Sequence, residues 1–204
     1  MRITAKRIES WAGQSIAVAE LPRLIRRLVH ATTVLQSAAM PAGEAVNLPG
    51  WDGRTESDAG SAWVPSGVSY WEWSCENART IARKATGDFE KRTGQTAADR
   101  RAESTFVFVS ARRWPGKDAW AAEHGRSSGW KAVRAYDATT IEEWLEEAPG
   151  VALAFAEELG DIGHGVETPG RFWSTWSSPA APAVTMEACK EGRAEVADRL
   201  ATTI

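Results

Sequence analysis

Cysteine is scarce in this chain of 204 residues, with only Cys75 and Cys189 present. Two thiols without metal-ligand spacing build neither a disulfide framework nor a zinc site, and they fit a reducing, cytoplasmic setting in which both are small buried hydrophobes. No apolar stretch approaches the roughly 18 residues a membrane span needs. The N-terminal MRITAKRIESWAGQSIAVAE has no apolar segment followed by a small-residue cleavage site, so no secretory signal is expected. Histidine is thin as well: His30, His124 and His164 are scattered, with no pair at metal spacing. The phosphate-loop, serine-elbow and HExxH zinc motifs are absent, which removes those three chemistries from consideration.

What is present fits a globular chain, 43% hydrophobic and 25% charged, long enough for one domain of ordinary size and an appendage. The net charge of −3 argues against a nucleic-acid partner, but the charge is unevenly spread. Between Arg79 and Arg134 arginine and lysine recur throughout. Residues 137–160 instead hold Asp137, Glu142, Glu143, Glu146, Glu147, Glu157 and Glu158 with no basic residue. Local field governs attraction to phosphate more than net charge does, so a basic face opposite an acidic one stays compatible with DNA or RNA. The eleven tryptophans follow no fixed period; such rings mostly fill cores, with base stacking as the rarer use.

Along the chain, SIAVAELPRLIRRLVHAT places Ile16, Leu21, Leu24, Ile25, Leu28 and Val29 at helical spacing, and Pro22 predicts a helix starting near Leu21. Residues 44–75 read as short strands broken by turns. The clearest is VSYWEWSC, where Glu72 and Ser74 share one face and Trp71 and Trp73 the other. ENARTIARKATGDFEKRT is helical, with Ile81, Ala82, Ala85 and Phe89 on one stripe. STFVFVSA reads as a strand apolar on both faces. A helix through GKDAWAAEH, a strand WKAVRAYD and helices through TTIEEWLEEA and GVALAFAEELG follow, with Asp137 or Thr139 as N-cap. This order implies an α/β, three-layer sandwich: a central mixed sheet flanked by helices over residues 1–160. From Asp161 to residue 204 the composition turns to Gly, Pro, Ser and Thr, as in a linker leading to a following domain.

Phosphodiester hydrolysis needs oxygen ligands for a divalent cation and a positive group to steady the nucleophile. Asp52 of PGWDGR, Glu72 of SYWEWSC and Lys84 of ARKATGDFEKR offer that set. Read blandly, Asp52 is a turn residue, Glu72 an edge-strand carboxylate and Lys84 a surface lysine. Arg112 and Arg113 follow the central strand, at the end where sites of α/β sheets commonly lie, and with Lys91 are candidates for nucleic-acid phosphate.

These residues carry a resemblance to the PD-(D/E)xK, restriction-endonuclease-like superfamily, and to its Mrr-type group in particular. Gly50, Asp52 and Gly53 resemble the aspartate turn of that family, Glu72 the glutamate of its second motif, and TFVFVSARRW and VRAYDATTIEEWL its later strand-helix units. The resemblance covers residues 15–160. It implies a Mg²⁺- or Mn²⁺-dependent endonuclease acting on DNA, with Asp52 and Glu72 as metal ligands and Glu20, from the first helix, as a weaker addition. The lysine that the family places two residues after the glutamate is Ser74 here, and Lys84 on the next helix takes its role by migration. The tail EGRAEVADRLATTI resembles the stretch preceding the nucleotide-binding core of STAND-type NTPases. That implies an effector domain of a larger bacterial antiviral sensor, whose assembly into a homo-oligomer brings two sites onto two strands. The rival reading is a catalytically inactive restriction-like fold, or a Trp-rich domain, serving as a binding or oligomerisation module.

Overall fold

The structure, a computed structural model, describes residues 2–41, 50–161, 169–179 and 185. The chain divides into two compact units, Met1–Leu159 and Gly160–Ile204. Five strands make one mixed sheet in the first unit: β1 (Ser37–Ala39), β2 (Gly53–Ser57), β3 (Gly67–Ser74), β4 (Ser104–Ser110) and β5 (Ala132–Tyr136). Their spatial order follows the sequence, with β1–β2–β3 antiparallel and β3–β4–β5 parallel. Helices cover both faces, giving the α/β three-layer sandwich expected from the order of elements.

The layers follow from alternation on β3. Trp71 is fully buried on one face, donates its indole N–H to Thr55 Oγ1 at 2.9 Å, and stacks on Trp144 of helix α6 (Ala138–Glu147). Trp144 in turn donates to Thr32 Oγ1 at the end of helix α2 (Ala17–Thr32). The Trp71 face is therefore covered by α2 and α6, joined there by α1 (Ala5–Trp11) and α7 (Pro149–Glu158), whose Trp11 and Phe155 pack edge to face. Tyr70 and Glu72 face the other way. Beside them Phe106 and Phe108 of β4 pack with Ile81, Ala85 and Phe89 of helix α3 (Ile81–Gln95) and Trp120 of helix α5 (Lys117–Ser127). Here too threonine serves indole: Trp120 donates to Thr86 and Trp130 to Thr93. Most tryptophans of this unit are thus core residues; the N–H groups of Trp71, Trp120, Trp130 and Trp144 are paired, as expected of a buried amphipathic ring, while that of Trp73 is buried without a partner.

Some elements differ from the sequence reading. Helix α2 starts at Ala17 and runs through Pro22 rather than starting near Leu21. Proline forfeits one backbone hydrogen bond there, while Leu21, Leu24, Ile25, Leu28 and Val29 all become buried, and that burial outweighs the loss. Helix α1, capped by Thr4, strand β1 and the short helix α4 (Ala98–Glu103) were not expected. Asp137 is the N-cap of α6, accepting from the N–H groups of Thr139 and Thr140. In the second unit, a segment read as linker forms helix α8 (Pro169–Ser177), in which the Trp173 and Trp176 rings lie 5.5 Å apart. Cys189, His164 and the NTPase-like stretch 191–204 lie outside the described residues. Among the described residues, no helix is long and apolar enough to cross a membrane.

Candidate functional site

The β2–β3 register sets the site. Gly53 pairs with Trp71 and Arg54 with Tyr70, and residues opposite each other in an antiparallel pair share a face. Asp52, one residue before the strand, therefore lies beside Glu72. The Trp73 backbone N–H holds it there, donating to Asp52 Oδ2 at 3.1 Å. Glycine at 53 permits this approach, because a Cβ would meet the Trp73 ring at 3.1 Å and the Trp71 Cβ at 3.2 Å. Both carboxylates sit at the end of the sheet where the parallel strands β3 and β4 terminate, the usual place for a site in an α/β sheet.

Helix α3 supplies the other wall. Advancing roughly 100° per residue, Lys84, Asp88 and Arg92 form one ladder beside the buried stripe of Ile81, Ala85 and Phe89. Lys84 stands at the exposed end and pairs with Asp88 at 2.7 Å, while the second oxygen of Asp88 is buried without a partner. Arg92 stands at the buried end, 8% exposed. Its Nε donates to Glu72 Oε1, its Nη2 to the Gly50 carbonyl, and its guanidinium lies over the Trp51 ring at 4.9 Å. Trp51 itself is stacked on Tyr70.

The electrostatics follow from crowding. Burial is the main cause that raises the Glu72 pKa to about 7, helped by the Asp52 charge and opposed by Arg92. Burial likewise raises Asp52, against the Trp73 N–H and Arg92. Asp88 adds to both upward shifts, and Lys84 lowers that of Asp52. Crowded, buried carboxylates with one uncompensated oxygen are the donor type that hard cations take. Among the described residues no group of three or more His, Cys, Asp or Glu side chains is arranged to hold a metal; Mg²⁺ is commonly held by one or two carboxylates with water and phosphate oxygens. Beside Lys84 and Asp88 a cavity of about 240 Å³ opens, lined also by Glu76, Thr80, Arg83 and Gly87. A larger cavity of about 590 Å³ at edge strand β5, lined by residues such as Trp63, Lys117 and Tyr136, contains none of the candidate residues.

The structure thus brings Asp52 and Glu72 side by side, pairs Lys84 with Asp88 on the neighbouring helix, and treats the remaining candidates differently. Glu20 lies within α2, in the layer over the Trp71 face, paired with Arg23 at 2.7 Å. Arg112 donates to the carbonyls of Glu9 and Cys75, tying α1 to the end of β3, and Arg113 pairs with Glu9 at 2.7 Å. Lys91 is exposed. Ser74 is buried, its hydroxyl accepting from the Glu76 N–H to turn the chain after β3. The acidic C-terminal helices are partly neutralised from within: Arg2 pairs with Glu142 and Glu146, Arg27 with Glu158, and Trp63 donates to Glu147. Arg92 and Asp88 are the members of the cluster that the sequence reading did not assign a role. In comparisons with known proteins, no family model, no curated protein and no solved structure matches the chain.

Proposed function

We propose that this chain carries a Mg²⁺- or Mn²⁺-dependent nuclease domain of the restriction-endonuclease-like type, hydrolysing phosphodiester bonds of DNA. The observation that carries this reading is the placement of Asp52 at the start of one strand and Glu72 on the next, on one sheet face, with Lys84 on the following helix. Asp52 and Glu72 would hold the cation, whose chemistry is to acidify a bound water and neutralise charge developing on the phosphate. Lys84, 44% exposed and paired with Asp88, would steady the attacking oxygen. A long lysine stem can change its partner from Asp88 to a phosphate or hydroxide without disturbing the core. The water oxygen bonds to phosphorus, the P–O bond to the leaving sugar oxygen breaks, and that oxygen takes up a proton. Exposed Arg79, Arg83 and Lys91 give the outer side of α3 a basic edge for the nucleic-acid backbone. Membership in a larger antiviral NTPase, acting as an oligomer, belongs to the same proposal and rests on the tail resemblance alone.

A second reading is favoured by two observations. Glu72 is paired to a buried arginine and Ser74 is engaged in a turn, as in a closed core that serves only as a binding or oligomerisation module. Plasmid cleavage decides between them. The nuclease reading expects Mg²⁺-dependent nicking by the chain in its full-length, activated assembly, and its loss in Asp52→Asn. Absence of cleavage with either Mg²⁺ or Mn²⁺ in that assembly would leave the binding module.

A further inference from the structure

Resting on the nuclease reading, we infer that Arg92 is the positioning residue of this site: it locks Glu72 and the turn that carries Asp52 into one unit facing one cation. Four contacts converge on its guanidinium. Nε takes Glu72 Oε1, Nη2 takes the Gly50 carbonyl two residues before Asp52, Nη1 reaches Gln95 Oε1 at 3.4 Å, and the plane covers Trp51. The two candidate ligands sit on different segments, β3 and the turn before β2; beside the direct bond from the Trp73 N–H to Asp52, Arg92 bonds to both segments from a third element, α3.

The chemistry of guanidinium suits this task. It stays charged at all working pH values and offers a rigid fork of donors, so it can hold a carboxylate and a carbonyl together as a lysine ammonium cannot. By bonding Oε1 it fixes the Glu72 rotamer. Arg92 bonds Glu72 directly, and half-buried Asp52 lies beside that carboxylate across the β2–β3 pair, so one fixed fork sits next to both. A fixed positive charge is also what position 74 lacks in this chain. Arg92 thereby divides labour with Lys84: the buried end of the α3 ladder shapes the ligands, and the exposed end meets the substrate.

The test is Mn²⁺ titration of the full chain followed by electron paramagnetic resonance, on the parent and on Arg92→Ala, Arg92→Lys and Glu72→Gln. Folded fractions are checked by circular dichroism. Arg92→Ala is expected to weaken Mn²⁺ binding at least about tenfold, and Arg92→Lys, which keeps the charge but not the fork, to recover part of it. A purely structural role would lower thermal stability and leave the Mn²⁺ affinity of the folded fraction alone. Parent-like affinity in folded Arg92→Ala overturns the inference while the nuclease reading stands. Should Arg92→Ala fail to fold, parent-like affinity in Arg92→Lys overturns it equally. Mn²⁺ binding that is weak in the parent and unchanged in Glu72→Gln overturns the metal reading, and this inference with it.

Discussion

Trp71 and Glu72 are neighbours on one strand, both buried, yet the two faces they enter are built on opposite principles. On the Trp71 face the large groups are apolar or locally satisfied with the exception of the Trp73 indole N–H, which is buried without a partner: the Trp71 indole N–H meets Thr55, Trp144 meets Thr32, and the leucines of α2 fill the space between. On the Glu72 face a charged group is set into the strand end directly beside the aromatic core of Phe89, Phe106, Phe108 and Trp120. There Asp52, Glu72 and Asp88 are packed around one arginine and one lysine, with two of the three acids titrating above their usual range and Asp88 adding to both shifts. A fold does not need such a cluster, since replacing a buried ion pair by well-packed apolar groups is often neutral or stabilising. One face accounts for stability, and the strained end of the other is where chemistry is to be sought.

The comparison is broken most strongly at Trp71. Trp71→Ala removes a fully buried ring and leaves Thr55 without its donor, and should cost about 3–5 kcal/mol in urea unfolding. That loss should be the same with and without Mg²⁺.

Glu72 gives the next largest effect, and one with a sign that depends on pH. Its pKa is raised in the folded chain from 4.5 to about 7, so folding favours the protonated carboxyl. The stability this contributes is fully present below about 4.5 and is lost as pH rises through about 7. The urea midpoint of the parent should therefore fall between about pH 5 and pH 8, by the equivalent of roughly 2–3 kcal/mol, at one pKa unit to about 1.4 kcal/mol. Glu72→Gln, which mimics the protonated form, should lack that slope. Equal slopes in both proteins would remove Glu72 as the titrating group.

How much of this was readable beforehand differs between the same two faces. The alternation Val68, Tyr70, Glu72 against Ser69, Trp71, Trp73 fixes strand β3 and puts Glu72 on its correct side, and the glycines around Asp52 mark the turn that leads into β2. Arg92 was legible only in part. At roughly 100° per residue it falls within the buried stripe of α3, but arginine is so rarely buried that the sequence reading ends the stripe at Phe89 and takes Lys84 as the cation that reaches the site. Only the tertiary pairing with Glu72 and Gly50 explains its position. Arg112 and Arg113 illustrate the reverse: placed after a central strand they read as phosphate ligands, whereas Glu9 of an unexpected helix occupies both. Helix α1 was missed because its apolar residues are few and spread over only two turns.

Lys84 sharpens the comparison by separating chemistry from structure. Lys84→Ala gives up only a partly exposed ion pair, so it should leave the fold intact while lowering cleavage on the order of a hundredfold. Ser74→Lys in that background should recover part of the rate, because positions 72 and 74 share a strand face. Cleavage by Lys84→Ala at the parent rate would remove the migrated-lysine role. The smallest effects are expected at the rim: Arg83→Ala and Lys91→Ala should each weaken DNA binding severalfold and reduce the salt dependence of the affinity by about one counterion.

The central claim, that Asp52 and Glu72 together bind a divalent cation, is tested most directly by anomalous diffraction from crystals soaked in Mn²⁺. The account predicts one strong anomalous peak about 2.1 Å from an oxygen of each carboxylate, with Arg92 still bonded to Glu72 Oε1, and no such peak in Glu72→Gln. A site that stays closed at saturating Mn²⁺, with Glu72 still bonded to Arg92 and no peak between the two carboxylates, would contradict it.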